Sequence, residues 1–125
     1  MYLVDTNIFL EILLKQAKSQ KCKDFLDQNV SDLSITDFSL HSIGVILFKQ
    51  SEDDLFLKFL NDTLPKVNLT SLPKEQYKEV LTNRKKQKLD FDDAYQYTVC
   101  KHYGFKLATM DQDFKSIKDI DILFL

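Results

Sequence analysis

Short apolar runs alternate with stretches of helical hydrophobic period along this chain, and that alternation leaves few folds open. Tyr2–Val4 reads as a short strand, after which Ile8, Phe9, Ile12 and Leu13 recur at the spacing of one helix face. Ser19–Gln28 reads as a helix with Cys22, Phe25 and Leu26 inward, and Leu33–Ile35 as a second strand. Phe38–Lys49 is a nearly all-apolar helix, expected to be buried on more than one side. Ser51–Asn61 opens on Ser51, Glu52, Asp53 and Asp54, an acidic start that complements the helix dipole. Lys66–Leu69 reads as a third strand, and Pro73–Lys86 as an amphipathic helix with proline in its first turn. Phe91–Tyr103 is a helix ended by Gly104, Phe105–Thr109 a fourth strand, Asp111–Ile117 a short helix and Ile122–Leu125 a last strand. Strands separated by helices pair in parallel, which predicts an α/β fold: three layers, α/β/α, around a short central parallel sheet. With only 2 glycines and 2 prolines, turn-rich all-β folds are excluded. A length of 125 residues predicts one domain over 1–125.

On such sheets ligands bind beyond the carboxyl ends of the strands, where the strand order switches direction. Aspartates occupy those ends. Asp5 follows the first strand, Asp37 the second, and Asp111 and Asp113 the fourth, while Asp92 and Asp93 open the helix before it. Taken singly, each is also a good helix N-cap. Gathered at one edge, the carboxylates repel and raise one another's pKa values, and a hard divalent cation relieves that repulsion. Mg²⁺ or Mn²⁺ prefers such oxygen ligands and suits hydrolysis of phosphodiesters.

Charge excludes other classes. Basic residues number 17 and acidic 19, so bulk positive charge does not make this a nucleic-acid binder, although Arg84, Lys85 and Lys86 form a local basic run. That run reads either as a solvated helix end or as a grip on RNA phosphates. Cys22 and Cys100 form no CxxC pair and read as reduced core thiols. No apolar run approaches a membrane span, and the N-terminus has no signal-peptide pattern, so a cytoplasmic location away from membranes is expected. No GxGxxG follows the first strand, and Walker A and GxSxG motifs are absent.

Three segments together carry a family resemblance. Val4-Asp5-Thr6-Asn7, then Asp92-Asp93-Ala94 followed by Gly104, then Leu107-Ala108-Thr109-Met110-Asp111-Gln112-Asp113-Phe114 resemble, in order and spacing, the acidic segments of PIN domains. The resemblance implies a PIN-like fold and a metal-dependent endoribonuclease, often the toxin of a VapBC toxin–antitoxin pair. It implies Mg²⁺ or Mn²⁺ as cofactor, RNA as substrate, a small antitoxin protein as partner, and a homodimer. By that match Asp5, Asp93, Asp111 and Asp113 are metal-binding acids, with Asp5, Asp93 and Asp111 catalytic. Thr6, Asn7 and Thr109 map to supporting polar positions, and Asp92 reads as an N-cap. The crowding of Ile8, Phe9, Leu10, Ile12, Leu13 and Leu14 independently predicts a homodimer, because one sheet cannot cover them all.

One position departs from the pattern. PIN domains usually carry a glutamate in the helix after the second strand, and the matching residue here is Ser42, with His41 beside it. His41 reads as a satisfied core histidine or a ligand, and Asp37 as an N-cap or a substitute acid. Ser42 also keeps open a second reading, a catalytically weakened PIN-like module that binds RNA or a protein partner.

Overall fold

Neighbouring residues on each central strand enter different cores, and this layers the molecule. On β1 (Tyr2–Val4), Val4 packs in a cluster with Ile8, Phe9, Ile35, Ile43 and Leu47, whereas Leu3 packs with Tyr95, Val99 and Phe114. On β4 (Lys106–Thr109) the same split sends Ala108 to the first cluster and Leu107 to the second. The computed structural model describes residues 1–125 and contains three further strands: β2 (Leu33–Thr36), β3 (Asn68–Thr70) and β5 (Ile122–Phe124). All pair in parallel, in the order β3-β2-β1-β4-β5. Helices α1 (Thr6–Leu13), α2 (Ser19–Gln28), α3 (Asp37–Lys49) and α4 (Asp53–Lys58) build the first cluster; α5 (Tyr77–Gln87) and α6 (Phe91–Tyr103) build the second.

The expected three-layer α/β/α architecture with a short parallel sheet is therefore the one observed, and its topology fixes where a site belongs. The chain steps from β1 outward to β2 and β3, then returns to place β4 on the other side of β1. The strand order reverses between β1 and β4, and the crevice this opens lies beyond their carboxyl ends.

Several local expectations change. Helix α3 packs against β2, α1 and α4, with Ser39, Ile43 and Leu47 buried, and leaves Val45 and Phe48 41% and 60% exposed. A Cβ on Gly44 would come within 3.2 Å of the Phe56 ring of α4. The helix after Ser51 shortens to α4 and widens into a π turn at Phe59–Thr63, then a tight turn at Leu64–Lys66, because Pro65 cannot continue a helical ladder. The segment after β4 forms a single turn, Gln112–Phe114, in place of a helix. In the apolar run of α1, Ile8, Phe9 and Leu10 are buried, while Ile12, Leu13 and the following Leu14 stay half-buried. Cys22 and Cys100 are free and buried. No helix is long and apolar enough to cross a membrane.

Candidate metal centre

Asp5 leaves β1 at the switch point with extended backbone, in the N-cap position of α1, yet its side chain caps nothing. Its two carboxylate oxygens are instead held across the crevice. Thr109 Oγ1, at the end of β4, donates to Oδ2 at 2.6 Å, and Gln96 Nε2, on α6, donates to Oδ1 at 2.9 Å. Thr109 is fully buried, and its hydroxyl oxygen also accepts the Asp111 backbone N–H at 2.9 Å. A single hydroxyl thus ties the end of β1 to the loop after β4. Asp111 Oδ1 in turn accepts the Asp113 N–H at 2.9 Å, closing the turn that carries both acids.

Helix α6 brings the remaining acid. Asp90, not Asp92, is its N-cap, accepting the Asp93 N–H at 3.4 Å. The expectation placed the cap two residues late, because three aspartates open this helix and only the side chain at Asp90 reaches back to the first turn. One ligand oxygen from each of Asp93, Asp111 and Asp113 lies within 4.8 Å of the others, in a gradient from buried through half-buried to exposed. Burial pushes the Asp93 carboxyl up to about 7, reinforced by the negative charges of Asp90, Asp111, Asp5 and Asp113. Burial likewise raises Asp92, with Asp90 and Asp5 adding to it.

Of the four acids expected to converge, three share one reach, and Asp5 stands behind them within electrostatic range of Asp93. Thr6 donates to Ser39 Oγ at 2.8 Å, joining α1 to the start of α3 beside Asp5. Ser42 is half-buried and follows Ser39 at the i, i+3 spacing of one helix face. Asn7 is exposed.

Other candidates move. Thr36 caps α3, and Asp37 is not its N-cap; Asp37 Oδ1 accepts the Tyr95 hydroxyl at 2.9 Å. His41 is exposed, not a core residue, and lines a shallow recess of about 380 Å³ with Asp37, Phe38, Tyr77, Phe91 and Tyr95. Tyr95 and Tyr97 are buried, the latter donating to Asp119 at 2.6 Å. Arg84, Lys85 and Lys86 are exposed in the last turn of α5; Lys88, in a left-handed conformation, and Leu89 alone separate that helix from the Asp90 cap. The basic turn therefore lies at the same end of the molecule as the acids. Its cations are unpaired, since the two ion pairs join Met1 to Asp32 and Lys101 to Asp119.

Over residues 2–120 the chain matches a family model described as the PIN domain. The chain belongs to the PIN domain family. Solved structures with the same fold include a toxin–antitoxin complex from Klebsiella pneumoniae, at TM-score 0.78 and 18% identity, covering 98% of this chain and 96% of that one. FitAcB from Neisseria gonorrhoeae matches at TM-score 0.78 and 17% identity, with 100% and 97% covered. VapC20 from Mycobacterium tuberculosis, described as a Sarcin–Ricin loop cleaving toxin, matches at 0.75 and 13%, with 93% and 94% covered. No curated protein matches the chain.

One site residue of this PIN domain escapes sequence reasoning. Gln96 is 2% exposed and holds Asp5 from a helix that sequence marks only by its aspartates. The available signal was its spacing: it follows Asp93 by i, i+3 on a helix whose inward positions are otherwise mostly apolar.

Proposed function

We propose that this PIN domain is a metal-dependent endoribonuclease, with Mg²⁺ or Mn²⁺ held by Asp93, Asp111 and Asp113 and oriented by Asp5. The observation that carries this reading is the convergence of three carboxylate oxygens within 4.8 Å at the switch point. The donor set fits the group: all ligands are hard, anionic oxygens, and oxygen ligands about 2.0–2.1 Å from one Mg²⁺ fall within such a spread after small side-chain shifts. When bound, the cation supplies charge neutralisation of the phosphate and a water of lowered pKa.

The chain's own residues do the rest. Asp93, buried and surrounded by negative charge, gives up its proton to bind the cation. Thr109 and Gln96 keep the Asp5 carboxylate fixed, so its negative charge faces the trio without side-chain reorganisation. Thr6 and Ser39 brace the backbone beside it. Arg84, Lys85 and Lys86 attract RNA phosphates independently of sequence.

Two partner surfaces belong to the same reading. A groove of about 320 Å³ at the opposite end of the sheet is lined by Ile12, Leu13, Leu26, Leu55 and Phe59, with both lysines and the acids Asp27 and Asp62 around it. It suits an apolar segment of a small antitoxin protein. Exposed Val45, Phe48 and Leu57 on α3 and α4 form the face through which a homodimer assembles.

The deciding experiment is cleavage of single-stranded RNA with Mn²⁺, with Mn²⁺ removed by chelator, and with Asp93→Asn. Cation-dependent cleavage lost in Asp93→Asn is the expected result. RNA binding with no cleavage under any condition replaces this reading with that of a binding module, which the neutral Ser42 would favour.

A further inference from the structure

The Oε1 of Gln96 is the one buried side-chain polar atom in the protein with no hydrogen-bond partner. A buried amide oxygen without a donor is destabilising, and the bond to Asp5 accounts only for the Nε2 half of this side chain. Nor does a different amide orientation relieve it. Turning the group over would set Oε1 against the Asp5 carboxylate oxygen that Nε2 now contacts at 2.9 Å.

The position of this atom gives it a use. Gln96 shares its helix face with Asp93, one turn earlier, and helical side chains lean toward the N-terminus of their helix. Its amide is bound to Asp5 and belongs to the turn of α6 that follows Asp93, on the helix that brings Asp93 to the crevice. Three carboxylates gather in that crevice, and carbonyl oxygen is a ligand type that Mg²⁺ and Mn²⁺ accept.

We propose that Gln96 is an oxygen ligand of the cation: its Oε1 joins Asp93, Asp111 and Asp113 around the ion, while its Nε2 holds Asp5 in place. The proposal rests on the cation reading above. It adds a neutral ligand from a residue type that a search for acids passes over, and it gives a role to the half of the amide that Asp5 leaves unpartnered.

Calorimetric titration of the full chain with Mn²⁺ alone tests it, comparing wild type, Gln96→Leu, Gln96→Glu and Asp93→Asn. Gln96→Leu removes both halves of the amide and weakens Mn²⁺ binding about 10–100-fold. Gln96→Glu keeps an oxygen ligand but loses the donor to Asp5, and it retains or exceeds wild-type affinity. If Gln96 served only to hold Asp5, the glutamate would repel that carboxylate and weaken Mn²⁺ at least as much as leucine does; that result overturns the proposal. So does an unchanged affinity in Gln96→Leu, which would leave the oxygen as the seat of an internal water. Should Gln96→Glu unfold without cation, its thermal midpoint is followed across the Mn²⁺ series: refolding by Mn²⁺ supports the proposal, and no refolding overturns it. The titrations contain no RNA, so a wild type that binds Mn²⁺ without cleaving RNA removes the nuclease reading and leaves this one standing. A wild type that binds no Mn²⁺, or binds it equally in Asp93→Asn, removes the cation site itself.

Discussion

Gln96 and Asp5, 91 residues apart in sequence, are joined by a 2.9 Å hydrogen bond beneath the acidic site. With Thr109 on the other oxygen, the bond holds a buried carboxylate between two neutral donors. No cation of the chain neutralises it. The same crevice holds Asp93, whose charged form is opposed by burial and by the neighbouring carboxylates.

Replacing Asp5 with Asn separates these effects. The asparagine oxygen can still accept from Thr109, and the Gln96 amide can turn over so that its carbonyl accepts from the new NH₂ group. The buried charge and its repulsion of Asp93 both disappear. Thermal unfolding in chelator should therefore show unchanged or higher stability, while RNA cleavage falls about 100-fold. Cleavage at the parental rate would remove Asp5 from the site.

Stability of the cation-free protein should depend on the Asp93 proton. Its pKa is raised in the fold from 3.8 to about 7, so the folded state holds the proton more tightly than the unfolded chain does. Its contribution is most favourable below 3.8, declines as pH rises toward about 7, and is flat beyond. The difference in thermal midpoint between wild type and Asp93→Asn, measured in chelator across that window, should widen in the variant's favour with rising pH. A cation competes with the same proton, so Mn²⁺ affinity should fall as pH drops below about 7.

What sequence made legible here is what local chemistry decides. The Phe91–Tyr103 helix was readable to the residue because Gly104, at φ 72, ends it in a left-handed conformation few other residues adopt. The aspartates at strand ends were readable because strand order and ligand position are linked in parallel sheets. The exposure of Val45 and Phe48 on α3 was not readable, because composition does not show which part of an apolar helix its neighbours leave uncovered. Asp90 was overlooked because capping depends on which side chain bends back, not on which aspartate stands nearest the apolar run. Gln96 was invisible because its role depends on Asp5, a residue contacted only after the chain has folded.

Dimerisation should depend on α3 and not on α1. Phe48 is 60% exposed and packs edge-on against Phe56 at 5.8 Å, beside exposed Val45. Light scattering should give the mass of two chains for the wild type and of one chain for Phe48→Glu. The thermal midpoint should change little, because an exposed position tolerates charge. A monomeric wild type, or a dimeric Phe48→Glu, would place the interface elsewhere.

The substitution of Ser42 offers the sharpest test of how the missing acid is compensated. The family pattern places a glutamate there, and a serine hydroxyl contributes no charge to a cation. Ser42 shares a helix face with Ser39, whose hydroxyl contacts Thr6 beside Asp5, so a longer acidic side chain at this position extends along the side of the crevice that Asp5 occupies. It is also half-buried, so a glutamate that turned away would reach solvent without the large penalty of a buried, unpaired charge. Ser42→Glu should therefore tighten Mn²⁺ binding about tenfold, near the lower end of what one ligand-shell change produces, and raise cleavage with it. Asp37 is the rival second acid, but one of its oxygens is already taken by the Tyr95 hydroxyl and the Phe38 N–H, at 2.9 Å each. Asp37→Asn should leave Mn²⁺ affinity unchanged. The reverse outcome, no gain from Ser42→Glu and a loss from Asp37→Asn, would move the second acidic position to the start of α3.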